Sequence, residues 1–196
     1  MSGTPDKGRE NPAAHWQLQT EPIADFEIFR VVRKRGQSPR NGQPVVFHAL
    51  DLKDWVQVIP RTADGRLIMV EQFRPGAEVA TLEFPAGIID DGEDPLRAGL
   101  RELEEETGYQ ARRSTLLGSV FANPAIQTNR LHLVLAENCE ATGSVQQDDG
   151  EDVRARLVAE DELKALMLAG TINHALVLAA WQLYELWRVQ RAASRT

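Results

Sequence analysis

Residues 87–109 read GIIDDGEDPLRAGLRELEEETGY. Acidic side chains crowd this stretch: Asp90, Asp91, Glu93, Asp94, Glu102, Glu104, Glu105 and Glu106 stand against Arg97 and Arg101. Its centre carries the punctuation of one helix. Asp94 suits the N-cap and Pro95 the first helical position, while Gly108 suits the left-handed stop. A helix over about 95–107 follows. At roughly 100° per residue, Leu96, Leu100, Leu103 and Thr107 share a sector about 60° wide, the expected buried stripe. Glu105, Glu102 and Glu106 fall at roughly 180°, 240° and 280° from Leu96, on the opposite flank. Ala98 lies in their sector and leaves room there. Glu104 stands apart and is expected to be solvated.

That arrangement poses an electrostatic problem. Glu102 and Glu106 are four residues apart, where like charges cost helix stability. Arg101 is placed to pair with Glu105 at the same spacing. Only Arg97 and Arg101 are near, so basic side chains are poor candidates to compensate the rest. A hard divalent cation, Mg²⁺ or Mn²⁺, prefers such oxygen ligands and completes its shell with water and substrate phosphate. An acidic protein can bind an anionic diphosphate in this way. The alternative is a solvated charged face, which is what charge runs usually are.

Composition narrows the classes. The chain has 196 residues, 42% of them hydrophobic, which fits one domain or one domain with an appendage. A net charge of −7 argues against a nucleic-acid backbone binder and against an anionic membrane surface. Cys139 is the one cysteine, so no internal disulfide is possible. Its acidic neighbours Glu137 and Glu140 raise rather than lower a thiol pKa, which suggests an inert structural role. Residues 1–13 are polar and rich in Gly and Pro, and read as a disordered tail without a signal-peptide core. No apolar run approaches the ~20 residues that span a bilayer. The expectation is a cytoplasmic protein.

Around the helix the chain reads as strands. Residues 26–34 and 44–50 flank Asn41-Gly42, and 55–60 and 66–73 flank Asp64-Gly65; both pairs predict antiparallel hairpins. Residues 81–84, 115–122, 130–136 and 153–158 are further strands, and helices are expected near 160–169 and 172–192. This mixture without regular alternation is α+β with mixed sheets.

The opening stretch also fits G-x5-E-x7-R-E-U-x-E-E-x-G-U at every fixed position, filled by Gly87, Glu93, Arg101, Glu102, Leu103, Glu105, Glu106, Gly108 and Tyr109. The chain resembles a Nudix hydrolase. The flanks VEQFRPG (70–76) and LEFPAG (82–87) are similar to the branch that includes ADP-ribose and other nucleotide-sugar pyrophosphatases. So are NPAIQTNRLHLVLAE (123–137), GEDVRARLVAEDEL (150–163) and GTINHALVLAAWQL (170–183). The resemblance implies a Nudix-type α/β/α sandwich over 54–192, preceded by an N-terminal strand region at 14–53. It implies metal on Glu102 and Glu106, with Glu105 and the Ala86 carbonyl as further ligands, and Arg101 orienting the glutamates. The implied reaction converts a nucleoside diphosphate sugar to a nucleoside monophosphate and a sugar phosphate. It further implies a homodimer in which strand region 14–53 helps build the partner's substrate site.

Outside the motif the assignments rest on chemistry and likeness together. A carboxylate must accept a proton from the attacking water. Glu151, in QQDDGEDV, resembles the branch's base-bearing segment, with Asp148, Asp149 and Asp152 as neighbours and Glu105 as rival. The Arg74 guanidinium suits phosphate oxygens. Glu83 suits either a site contact or a structural pair. No role is assigned to a histidine; Trp16 and Trp55 could stack on a nucleobase, but are read as packing residues. One departure concerns the substrate. ADP-ribose-specific members often carry S-P-G followed by a glutamate that holds the terminal ribose; here Asn123-Pro124-Ala125 occupies the loop and Asn129 stands near that glutamate's place. A different nucleotide sugar, GDP-mannose for example, fits as well. The alternatives are a Nudix enzyme for a dinucleoside polyphosphate, coenzyme A or an oxidised nucleotide, and a non-catalytic nucleotide-sensing module.

Overall fold

The computed structural model describes residues 15–143 and 153–194. They fall into two compact units. One comprises the chain up to Leu52 with Asn123–Thr128, and the other comprises Lys53–Ala122 with the chain from Asn129.

The first unit is built on an antiparallel sheet of β1 (Leu18–Asp25), β2 (Arg30–Gln37) and β3 (Pro44–Asp51), in that order. The expected hairpin through Asn41-Gly42 forms as β2 and β3, with Gly42 at φ +69°. Residues 26–29, expected in a strand, instead close the turn between β1 and β2 through the Phe26 N–H to Phe29 carbonyl bond at 2.9 Å. Strand β1 lacks the alternation that betrays strands, because both its faces are largely exposed. Its Pro22 sits where the register shifts, as an edge strand tolerates.

The second unit holds a mixed sheet. Its described path runs β11 (Arg154–Val158), β5 (Leu67–Arg74), β4 (Trp55–Thr62), β10 (Arg130–Ala141) and β8 (Tyr109–Gln110). Strand β6 (Val79–Glu83) pairs with β5, β7 (Ala86–Ile88) with β4, and β9 (Arg113–Phe121) with β10. Strands β4 and β10 run parallel in register from Leu131 opposite Trp55 to Ala136 opposite Pro60. The α+β expectation and the order of its major elements hold.

Alternation on β4 sorts two cores. Val56 and Val58 pack with Ala98 and Leu103 of α1 (Pro95–Thr107), together with Ile68 and Val134. Trp55 and Ile59 pack on the other face with Leu163 of α2 (Glu160–Leu168), and with Val177, Trp181 and Tyr184 of α3 (Ala175–Ala193). This is the helix–sheet–helix layering expected of the sandwich. Arg61, Lys164 and Arg188 all contact the Glu160 carboxylate, so one acid ties β4, α2 and α3 together. No helix among the described residues is long and apolar enough to cross a membrane.

The caps of α1 are those the sequence predicts. The Asp94 side chain accepts from the N–H groups of Leu96 and Arg97 at 3.1 and 3.2 Å. Gly108 closes the helix at φ +68°, its N–H bonded to the Glu104 carbonyl. The buried face is different. Ala98, Gly99, Leu103, Glu106 and Thr107 are buried, while Leu96 and Leu100 are only partly so. The helix is rolled toward its small residues, because Ala98 and Gly99 let it approach the valines of β4 and β10 closely. Glu102 and Glu106 are therefore turned toward the sheet, while Glu105 stays partly open to water.

Candidate active site

The roll of α1 sets its glutamates against β7. The Glu106 residue is only 3% exposed, and its Oε2 accepts the backbone N–H of Ala86 at 3.2 Å. The Glu102 carboxylate lies so close to Gly87 that a Cβ there would overlap it. Glycine is thus required at 87 for space. Burying carboxylates is costly unless charge compensates them.

Much of that compensation comes from Arg101, which does more than brace Glu105. Its Nη1 donates to Glu102 at 2.8 Å and to Glu105 at 2.9 Å. Its Nε and Nη2 grip Glu93 at 3.1 and 3.0 Å, and Nη2 also reaches the Ile88 carbonyl at 3.2 Å. The expectation that arginine is a poor compensator here is corrected: one guanidinium serves three carboxylates because its planar fork has donors on several sides. These bonds, those to Glu93 foremost, raise the Arg101 pKa further. They likewise hold the Glu93 carboxyl below the usual carboxylate range. Glu104 is not merely solvated, since it accepts from Gln110 Nε2 at 2.6 Å.

The arrangement suits a cation of a particular kind. The groups turned toward β7 are oxygen donors, with no thiol or imidazole among them, which suits a hard divalent ion. The space above Gly87 is kept for the Glu102 carboxylate. Among the described residues, however, no three acidic, histidine or cysteine side chains converge on one point. Arg101 holds Glu102 and Glu105 in their present positions.

β7 also walls a cavity of about 300 Å³. Trp55, Leu131 and Leu176 give it apolar sides, and Gln57, Arg74, Glu83 and His174 give it polar ones. Arg74 and Glu83 meet there as a two-pronged pair, at 2.7 Å from Nε and 2.9 Å from Nη2. Thr81 Oγ1 adds a bond to Glu83 at 2.5 Å. Glu83 is almost wholly buried, and burial, the largest single influence, pushes its pKa up. The bonds from Arg74 and Thr81, with the charge of Arg74, outweigh it and hold the carboxyl below its ordinary value.

Other predicted residues lie elsewhere. Asn129 is buried at the start of β10 and does not line the cavity; among the described residues neither amide atom has a partner. Glu151 lies outside the described residues, as do Asp148, Asp149 and Asp152. Trp16 packs edge-on against Phe47 at 5.5 Å between ring centres. Cys139 is buried, and burial pushes its thiol up to about 11, as an inert cysteine requires.

Trp55, read as a packing residue, both packs on the core and lines the cavity, and sequence reasoning missed two further cavity residues, Gln57 and His174. A signal existed for Gln57, a lone amide between Trp55 and Ile59 on the core-facing side of β4. His174 offered none, since its place at the start of α3 becomes meaningful only once α3 packs beside Glu83.

Residues 52–180 match the family model of the NUDIX domain. The chain is 39% identical over 157 residues to the ADP-ribose pyrophosphatase of Bacillus subtilis (strain 168), covering 79% of this chain and 82% of that protein. It is 37% identical over 139 residues to the methanol dehydrogenase activator of Bacillus methanolicus, covering 69% and 75% respectively. A crystal structure of an ADP compounds hydrolase aligns with a TM-score of 0.77 at 24% identity, over 89% of this chain and 95% of that one, a likeness of fold. With its family motif intact at all nine fixed positions and laid against β7, the chain belongs to the Nudix hydrolases, a family whose members typically need divalent metal ions.

Proposed function

We propose that the protein hydrolyses the pyrophosphate bond of a nucleoside diphosphate sugar, ADP-ribose foremost, with Mg²⁺ or Mn²⁺. The products are a nucleoside monophosphate and a sugar phosphate. One observation carries the reading: the Arg101-braced glutamates of α1 abut β7, and β7 walls the cavity that holds Arg74 and Glu83. The likeness to an ADP-ribose pyrophosphatase over four-fifths of both chains supports the substrate class.

In this proposal Glu102, Glu106 and Glu105, with the Ala86 carbonyl, hold the cation. A divalent ion there supplies positive charge to the diphosphate and makes water more acidic. Arg101 fixes the carboxylates in place, and its value lies in orientation rather than in touching substrate. Arg74, steadied by Glu83 and about one-third exposed, offers guanidinium N–H groups to a phosphate oxygen. Glu151 accepts the proton of the attacking water, with Glu105 as the alternative. Asn129 is a further substrate contact, outside the cavity lining. We place the enzyme in the cytoplasm as a homodimer whose strand region 14–53 contributes to the partner's site.

The test is a substrate panel with Mg²⁺: ADP-ribose, GDP-mannose, other nucleotide sugars, dinucleoside polyphosphates, coenzyme A and nucleoside triphosphates. Release of AMP and ribose 5-phosphate from ADP-ribose is expected. Activity confined to triphosphates overturns the assignment.

A further inference from the structure

Gln57 is out of place as a structural residue. It sits on a central strand at 1% exposure, facing the same side as Trp55 and Ile59, whose neighbours are Leu131, Leu133 and Trp181. Among the described residues its Oε1 is buried with no hydrogen-bond partner. A buried acceptor left in that state is a net cost to stability, and an apolar residue of similar size removes the cost. The residue does, however, line the cavity beside β7.

A second group on the same wall is alike. His174 Nδ1 is buried and partnerless among the described residues, while its Nε2 lies 4.0 Å from Glu83 Oε2. A neutral imidazole whose Nε2–H faces the Glu83 carboxylate presents Nδ1 as an acceptor. Two unfilled acceptors from different elements thus stand buried in the wall of the cavity. Phosphate oxygens are acceptors too and cannot fill them. A ring bearing hydroxyl groups can, and its apolar faces suit Trp55 and Leu176.

Building on the function proposed above, we propose that Gln57 is a specificity-determining residue. Its amide oxygen, with His174 Nδ1, accepts hydrogen bonds from hydroxyl groups on the sugar of the nucleoside diphosphate sugar. The unpaired amide lowers the stability of the free enzyme and is satisfied only when the sugar enters.

The variant Gln57→Met tests this, because methionine is unbranched, similar in length and adaptable in cores. For ADP-ribose, KM should rise about 5- to 10-fold with kcat within about twofold. The ligand-free variant should melt about 2–4 °C higher than wild type. The inhibition constant of AMP, which lacks the second sugar, should not change. An unchanged KM, or a lower melting temperature, makes the amide an ordinary core group and overturns the proposal. A rise in the AMP constant parallel to KM places the nucleoside in the cavity and overturns the sugar assignment. Wild-type enzyme that releases no AMP from ADP-ribose refutes the proposed function instead; the melting temperature and the direct affinity for ADP-ribose then still judge Gln57.

Discussion

Replacing Gly87 with alanine adds a single methyl group at the point where β7 meets the glutamates. Gly87 does not adopt a positive φ, so alanine meets no backbone penalty there and the effect is one of space alone. The new Cβ would overlap Oε1 and Cδ of Glu102 and come within 2.5 Å of Oε2. Ordinary contact between such atoms is about 3.5 Å, so the whole carboxylate must retreat by at least about 1 Å. It retreats against Arg101, which holds it at 2.8 Å, in a place where the side chain is only 13% exposed. A displacement of about 1 Å at a reacting centre costs about 100-fold in rate. A flexible side chain can yield without unfolding the domain, so stability should fall by less than about 1 kcal/mol. The assay is ADP-ribose hydrolysis across a Mg²⁺ titration, with a melting curve on the same sample. The variant should lose about 100-fold or more in kcat/KM, need more Mg²⁺, and melt within about 3 °C of wild type. Activity within about threefold of wild type would show that the Glu102 position does not matter to catalysis.

The same substitution within α1, three residues before Glu102, should do the opposite. In Gly99→Ala the Cβ meets Val56, Val58 and Val134 methyls at 3.1 Å each, so overpacking should cost about 1–3 kcal/mol by denaturant melts while turnover per folded molecule stays normal. Arg101→Lys keeps the charge but loses the fork that serves Glu93, Glu102 and Glu105; metal affinity by calorimetry, or activity, should fall about 10- to 100-fold. Glu83→Gln removes the carboxylate that grips Arg74 and should destabilise the fold by about 2–3 kcal/mol at neutral pH. The folded-state pKa of Glu83 lies below its ordinary 4.5, so its stabilisation is complete above that value and is lost as pH falls through the lower folded-state value. Acid titrations should therefore show a shallower stability loss in the variant than in wild type.

Legibility differed among the elements for physical reasons. The bounds of α1 were readable because Asp94, Pro95 and Gly108 act locally. Its orientation was not, because the leucine stripe and the glutamate sector compete for the sheet, and close approach through Ala98 and Gly99 decides between them. β1 was unreadable because it is exposed on both faces, and β7 because three residues carry no period. The Nudix motif was visible as a spacing, whereas the cavity joins residues more than a hundred positions apart and had no pattern in one dimension. Gln57 was visible as an oddity, but only the cavity explains why an amide stands there.

In the function proposed above, the α1 glutamates, laid against β7, drive hydrolysis of a nucleoside diphosphate sugar through a divalent cation. This function is tested most directly by ADP-ribose turnover with Mg²⁺ in wild type and in Glu106→Gln, with chelator controls. Glutamine keeps the shape and can still accept from the Ala86 N–H, so the variant should fold as wild type does. Wild type should release AMP and ribose 5-phosphate and fall silent with chelator, and the variant should lose at least about 100-fold. Equal turnover in the two proteins, or turnover that survives the chelator, would contradict the account.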